Sequence, residues 1–419
     1  MTPLYNIGIR LYSAAIALAA TRNDKAKRLR KGQQTTLAKI ARDVEEANLR
    51  RPGGQWVWFH AASLGEFEQG RPLIERVRSH CPQTKILLTF FSPSGYEIRK
   101  DYPGADVVAY LPLDTPANAR RLLDTVNPSR VVFIKYEFWG NMLQEVARRK
   151  IPAYLVSAIF RPNQIFFRPY GGIFRRILGY FSHIFVQDEN SRKLLQTLGV
   201  ESTVAGDTRF DRVTDIMSQA QAFPSIEQWA KDAENVLVAG STWPRDEELI
   251  FPWLAKNPGV KAIIAPHEFD ASRLAQMKAA LGDGHTVFLS QVKDSIPEGI
   301  SYIIVDSIGH LSSLYRYGTF AYVGGGFGDG IHNINEAAVY GIPVVFGPNN
   351  GRFKEAADMI AASGAFAIDS EAALTDVLTR LSSDESFRKT SGNAAGQYIA
   401  RSVGASDRIF PKIFSNNNI

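Results

Sequence analysis

Short apolar runs rich in β-formers alternate with helix-like stretches along almost all of this chain, and that alternation constrains the fold more than any other feature. In the first half the runs are Trp56–Phe59, Lys85–Phe91, Asp106–Tyr110, Val131–Ile134, Ala153–Ser157, His183–Gln187 and Ser202–Ala205. In the second half they are Asn235–Ala239, Val260–Ala265, His285–Leu289, Ser301–Val305, Thr319–Val323, Ile342–Phe346 and Ala365–Ile368. Runs of this length bounded by Gly, Pro, Ser and Asp read as strands buried on both faces, hence as parallel strands. Helices between them imply right-handed crossovers and doubly wound sheets. The expected fold class is therefore α/β, with two Rossmann-like domains, and 419 residues suffice for both. The expected boundaries are an N-terminal segment over 1–31, a first domain over 32–210, a polar linker over 211–234 that includes Pro224, and a second domain over 235–419. Two such domains facing each other leave a cleft lined by strand carboxyl ends, where ligands bind. There is no short-period repeat, and the only low-complexity tract is the Asn416–Asn418 tail.

The charge is concentrated at one end. Residues 1–50 hold ten Lys or Arg against four acids, which is the whole net charge of +6. A basic arm seeks an anionic surface, membrane or nucleic acid. Leu4–Ala20 is mostly apolar apart from Arg10, and the cluster Lys25–Lys31 follows. That pairing favours a membrane, and the confinement of charge to the arm argues against a nucleic-acid groove. The stretch is short against the roughly 20 apolar residues of a spanning helix, so a helix lying in or partly entering the interface, monotopic or as a single-helix anchor, is the expectation. The other reading is an ordinary N-terminal helix packed on its own domain. Cys81 is the single cysteine, which excludes an internal disulfide and a cysteine-based zinc site.

Four segments carry residues suited to chemistry. His60-Ala61-Ala62-Ser63-Leu64-Gly65-Glu66 follows the first strand and opens a helix. Its S-x-x-E spacing fits a capping box, and it equally fits a general base, Glu66, at the mouth of a cleft. Lys135-Tyr136-Glu137-Phe138-Trp139 places an acid and aromatics after the strand Val131–Ile134, either as a sugar site or as a helix start beside a buried Trp. Ser241 and Thr242 lie in a small, hydroxyl-rich turn ahead of Trp243-Pro244, which suits either phosphate binding or a plain helix start. The run from Gly324 to Glu336 contains Gly325, Gly326, Phe327, His332 and Asn333. Consecutive glycines admit close backbone approach and can present N–H groups to phosphate, and Glu336 can accept from ribose hydroxyls. The dinucleotide fingerprint does not fit this run, and the chain lacks a Walker A sequence, H-E-x-x-H, G-x-S-x-G and D-x-D. No metal site is expected.

Taken in order and spacing, these segments resemble the 3-deoxy-D-manno-octulosonic acid (Kdo) transferase family. Further carriers are Gly206-Asp207-Thr208-Arg209-Phe210-Asp211, Gly341-Ile342-Pro343-Val344, Phe346-Gly347-Pro348 and Phe353-Lys354-Glu355-Ala356. The resemblance implies a GT-B fold and an inverting, metal-independent transfer. CMP-Kdo is the implied donor substrate and a lipid A precursor the acceptor, with no cofactor, at the cytoplasmic face of the inner membrane. It implies Glu66 as catalytic base and Glu137 as a second active-site acid. It assigns Ser241, Thr242, His267, Gly325, Gly326, Phe327, Asn333 and Glu336 to the donor. The chain departs from the family where Pro-Arg-His becomes Pro266-His267-Glu268, with His267 taking part of the arginine's role. It departs again where Asn-Ala-Arg becomes Ser157-Ala158-Ile159, with Arg161 two residues on as the substitute. The rival readings are another GT-B enzyme acting on a UDP-sugar, transferase or epimerase, and a non-catalytic nucleotide-binding membrane protein.

Overall fold

The computed structural model describes residues 1–414, so the Asn416–Asn418 tail lies outside the described residues. The described chain divides into two compact units, residues 1–212 with 403–414, and residues 213–402. Each holds one sheet of seven parallel strands among the described residues.

In the first unit the strands are β1 (Trp56–Ala61), β2 (Lys85–Phe90), β3 (Val107–Tyr110), β4 (Pro128–Ile134), β5 (Ala153–Ala158), β6 (His183–Val186) and β7 (Ser202–Val204). Their order is β3-β2-β1-β4-β5-β6-β7. Every residue of β1 is buried because both faces of the sheet are covered. Trp56 and Trp58 pack into one layer with Leu87 and Phe133. The alternate side chains Val57, Phe59 and Ala61 pack into the other with Phe67 and Leu73. This two-sided burial is why the strands read as unbroken apolar runs. In the second unit the strands are β8 (Asn235–Thr242), β9 (Val260–Pro266), β10 (Thr286–Phe288), β11 (Tyr302–Ile304), β12 (Phe320–Val323), β13 (Val344–Phe346) and β14 (Ala365–Ala367), in the order β10-β11-β9-β8-β12-β13-β14. In each sheet the winding reverses beside the first strand, between β1 and β4 and between β8 and β12. Those are the points where doubly wound sheets bind ligands.

Three expected boundaries fall differently. The N-terminal segment is not a detached arm. Helix α1 (Pro3–Ala19) and helix α2 (Asp24–Arg50) flank a break at 20–23, so position 31 lies inside α2. Tyr5 of α1 donates to buried Asp114 at 2.6 Å and accepts from the Gly140 N–H at 2.9 Å, and Ile40, Val44 and Ala47 of α2 enter the core. The expected linker holds helices Arg209–Ser218 and Pro224–Lys231. The last helix, Ala405–Phe414, belongs to the first unit, where Ile409, Ile413 and Phe414 pack with Phe67 and Leu73. Its amphipathic pattern is plain in sequence, but the pattern does not say which sheet it covers.

Candidate functional site

Each unit gathers its chemistry-bearing residues at its switch point. In the first, the segment after β1 enters helix α3 (Leu64–His80), with Ser63 at the N-cap and Glu66 in the first turn. Ser63 makes no side-chain bond to the helix backbone. Its hydroxyl donates instead to the Glu66 carboxylate. The capping box that the spacing allows is therefore not formed, and Glu66 is half-buried with a hydroxyl on one oxygen.

Glu137 follows β4 and is buried. His60 Nε2 lies 2.7 Å from Glu137 Oε2, and the Trp139 indole N–H donates to the same oxygen at 2.5 Å. A carboxylate is acceptor-only, so Nε2 carries the proton. His60 Nδ1 lies 2.9 Å from the Thr89 hydroxyl and 3.0 Å from the Thr89 carbonyl, and that hydroxyl accepts from the Trp58 indole N–H at 2.8 Å. This chain of contacts fixes the direction of Glu137. Strand register explains the meeting, because His60 of β1 pairs with Thr89 of β2 and with Phe133 of β4.

Tyr136, Glu137, Phe138 and Trp139 line a 410 Å³ recess together with Tyr5 and Phe166. Burial raises the Tyr136 phenol above its ordinary value; the Arg161 charge opposes that shift, and Glu66 and Asp188 add to it. Arg161 is exposed at this edge, in the electrostatic reach of the same phenol as Glu66. Two non-glycine residues here, Lys135 (φ 65°) and Ser157 (φ 54°), hold left-handed backbone at the ends of β4 and β5. Such conformations persist only where the surroundings enforce them, and they cluster at ligand sites.

In the second unit the carboxyl end of β8 meets the loop after β12. Ser241 is left-handed (φ 52°). The Thr242 hydroxyl is buried and donates to Glu247 at 2.7 Å, and Arg273 donates to that same oxygen at 2.9 Å. Thr242 therefore braces the first turn of helix Pro244–Lys256. Asp246 is the organiser that the sequence reading missed. It accepts from Tyr322 O–H at 2.7 Å, from the Trp243 N–H at 2.9 Å and from the Gly325 N–H at 3.1 Å. A buried carboxylate with three donors ties the glycine loop to the helix start.

The glycine loop spends several of its N–H groups internally. Gly324 donates to Gly240 O, and Gly328 and Gly330 to Gly325 O. The N–H groups of Gly326 and Phe327 have no such acceptor among the described residues. The N–H groups of Asp329 and Ile331 likewise have none, so Gly326 and Phe327 are two of the loop donors left to meet an anion. A Cβ on Gly326 would stand 2.6 Å from the Gly347 backbone, so close loop packing demands glycine there. Phe327 packs partly against the core, with the Arg245 guanidinium 5.9 Å from its ring. Beside the loop, Trp243 stacks on His267 (4.8 Å, 27°) and His267 on His332 (4.3 Å, 28°). The Trp243 indole N–H donates to His332 Nε2 at 3.2 Å. Burial, with His267 adding to it, lowers His332 below the usual imidazole value. The fold thus adds Trp243 and His332 to His267, from three segments that sequence spacing does not connect. Asn333 donates to Glu336 Oε1 at 2.9 Å, at the start of helix Asn335–Ala338.

Residues 24–212 match the family model described as 3-Deoxy-D-manno-octulosonic-acid transferase (kdotransferase). A Haemophilus influenzae protein named 3-deoxy-D-manno-octulosonic acid transferase is 27% identical, over 86% of this chain and 87% of that protein. A Chlamydophila psittaci protein of the same name is 28% identical, over 75% of this chain and 74% of that one. Among solved structures, the Neisseria meningitidis UDP-GlcNAc 2-epimerase superposes with a TM-score of 0.59 at 16% identity, over 86% of this chain and 100% of the other. Acinetobacter baumannii MurG superposes with a TM-score of 0.54 at 12% identity, over 86% and 99%. At such identities the likenesses show the fold alone, which is that of two doubly wound domains of the GT-B kind.

Proposed function

We propose that this chain, which belongs to the Kdo transferase family and is thereby a glycosyltransferase of lipopolysaccharide biosynthesis, moves Kdo from CMP-Kdo to a lipid A precursor without a metal ion. The observation that carries the reading is Glu66. The family-matched segment delivers this carboxylate, half-buried and oriented by the Ser63 hydroxyl, to the carboxyl end of β1 at the switch point.

In this mechanism Glu66 takes the proton of the acceptor hydroxyl as its oxygen attacks the anomeric carbon of Kdo. The bond from that carbon to the phosphate oxygen breaks, and CMP leaves with the electron pair. The Gly326 and Phe327 N–H groups stabilise the phosphate charge, and Glu336, held by Asn333, accepts from the ribose. His267, stacked between Trp243 and His332, stands where the family has arginine. Glu137 keeps one face of the acceptor recess polar, and the aromatic side chains around it supply apolar contact.

The membrane reading rests on α1. Leu4, Ile7, Leu11 and Leu18 are each more than half exposed and recur on one stripe, while Tyr5 and Tyr12 turn inward to Asp114 and Phe91. No helix among the described residues is long and apolar enough to cross a membrane. An in-plane helix at the cytoplasmic face of the inner membrane, backed by Lys25–Lys31, fits both facts.

One assay tests the proposal: purified protein with CMP-Kdo, a lipid A precursor and excess EDTA, with products read by mass spectrometry. A Kdo-bearing lipid is the expected product. Activity that needs restored Mg²⁺ removes the metal-independent step. Turnover of a UDP-sugar in place of CMP-Kdo replaces the donor assignment.

A further inference from the structure

Helix α2 runs for 27 residues with a glycine, Gly32, inside it. Glycine weakens a helix interior, and the packing explains its presence. A Cβ there would run into the ring of Tyr110, at the end of β3. That ring also stacks on Tyr96 of helix α4 (Pro93–Arg99), with centroids 4.2 Å apart, and its hydroxyl donates to Glu97 at 3.3 Å. The result is a recess of 330 Å³ floored by the two tyrosines, with Arg28, Lys31, Thr35 and Lys39 of α2 on its wall and Glu97 on its rim.

The charges in the recess are not equally engaged. Lys39 is bound to Asp43 and to Val108 O. The Glu97 carboxylate takes the Tyr110 hydroxyl. The Arg28 guanidinium and the Lys31 ammonium form no hydrogen bond or ion pair with other described residues, although the Arg28 charge acts on the Tyr110 hydroxyl. The two lie three apart on one helix face, with the Thr35 hydroxyl one turn further. The Thr35 hydroxyl donates back to the Lys31 and Gly32 carbonyls, which leaves a fork of guanidinium donors and an ammonium along one wall, a pair that suits a tetrahedral oxyanion.

We propose that this recess is a binding site for a phosphate ester, supplied by a lipid head group or by a soluble phosphorylated sugar. No step of the transfer chemistry is needed for it, so it stands apart from the donor and base assignments. Its place favours a head group. Exposed Leu18 ends α1, and α2 begins after four residues, with Arg28 and Lys31 in its first turns. On the far side of α4, Gly95 lies against the Ser63 backbone. A phosphate held here is one short helix away from the Glu66 segment.

The test compares Arg28→Gln/Lys31→Gln with Lys25→Gln/Lys27→Gln in the full chain. Both doubles remove two charges from the same exposed stretch, but only the first pair lines the recess. Calorimetric titration with glucosamine 1-phosphate, in excess CMP to fill any nucleotide site, should show binding that falls about tenfold or more in the first double and is unchanged in the second. Sedimentation with phosphatidylglycerol vesicles identifies the source. Greater loss in the first double, with competition by the soluble ester, means a lipid head group. Ester binding without competition means a soluble phosphate ester. Equal losses in the two doubles on both probes, or no binding of the ester, overturns the site, because net charge alone then accounts for the attraction.

Discussion

Replacing Thr89 with Val tests whether the buried chain from Trp58 to Glu137 is a working support. Thr89, His60 and Trp58 are fully buried, so no water replaces a lost partner. Valine keeps the shape and removes one oxygen, which serves two bonds. The Trp58 indole N–H loses its acceptor at 2.8 Å and His60 Nδ1 its hydroxyl partner at 2.9 Å. The imidazole keeps two other neighbours, the residue 89 carbonyl 3.0 Å from Nδ1 and the Glu137 carboxylate 2.7 Å from Nε2, so the loss left uncompensated is that of the Trp58 N–H. A buried unpaired donor costs about 1–3 kcal/mol. For a unit of this size that lowers its melting midpoint by roughly 2–12 °C. Thr89→Ser keeps the hydroxyl and removes one methyl, at about 1 kcal/mol. Scanning calorimetry on both variants, with the first unit's transition identified by its loss in the variants, gives the comparison. Transfer should fall in the Val variant while CMP affinity holds, since the donor residues lie in the other unit. Equal midpoints and equal rates for the Val and Ser variants refute the support role, because the hydroxyl would then contribute nothing.

Glu66→Gln should reduce transfer by about 10²–10⁴-fold with CMP affinity nearly intact; single-turnover rates and calorimetry separate the two effects, and near-normal turnover would leave Glu66 without a catalytic part. Gly326→Ala should weaken CMP binding by roughly ten- to a hundredfold, because a Cβ forced against backbone costs about 1–3 kcal/mol. Gly328→Ala, whose Cβ meets Gly325 O at an ordinary 3.7 Å, should bind as wild type, and equal losses would argue against the close packing at Gly347. Glu336→Ala should raise the CMP dissociation constant about ten- to a hundredfold with little change in acceptor KM; an unchanged CMP constant would move the nucleotide elsewhere. Removing residues 1–31 should release the protein from vesicles, and replacing Lys25, Lys27, Arg28, Arg30 and Lys31 with Gln should mimic the effect of high salt on anionic vesicles. Co-sedimentation is the readout, with circular dichroism to check that the first unit still folds, and undiminished pelleting of the truncated protein places the membrane-contacting surface outside residues 1–31.

The sheets were legible because parallel strands covered on both sides leave little room for polar residues. Val131–Ile134 reads as a strand from four letters, and its neighbours do likewise. The switch points were legible for the same reason, since strand order places Glu66, Glu137, Ser241 and the glycine loop at strand ends. What spacing could not settle was where side chains point. Ser63 and Glu66 satisfy a capping box on paper yet bond to each other. Thr242 lies beside Ser241 in sequence but turns inward to Glu247. Asp246 reads as an ordinary first-turn acid, and only the fold shows it holding Tyr322 and Gly325. His60 and Glu137 are 77 residues apart; the β1–β4 pairing brings them together, and neither segment's own sequence states that register.

The assignment of Ala405–Phe414 to the first unit has a consequence for the order in which the protein can be made. Asp211 accepts from the Gly404 and Ser406 N–H groups at 2.5 and 2.6 Å, so the chain leaves the first unit and returns to it at the same place. The second unit is an insertion, continuous from Val213 to Ser402, and can complete its sheet as it emerges from the ribosome. The first unit, though begun earlier, waits for residues translated after the whole second unit. Until Ile409, Ile413 and Phe414 arrive, the apolar surface of Phe67 and Leu73 that they cover stays open to water. A chain cut before Ala405–Phe414 is therefore expected to fail in the unit that was begun first.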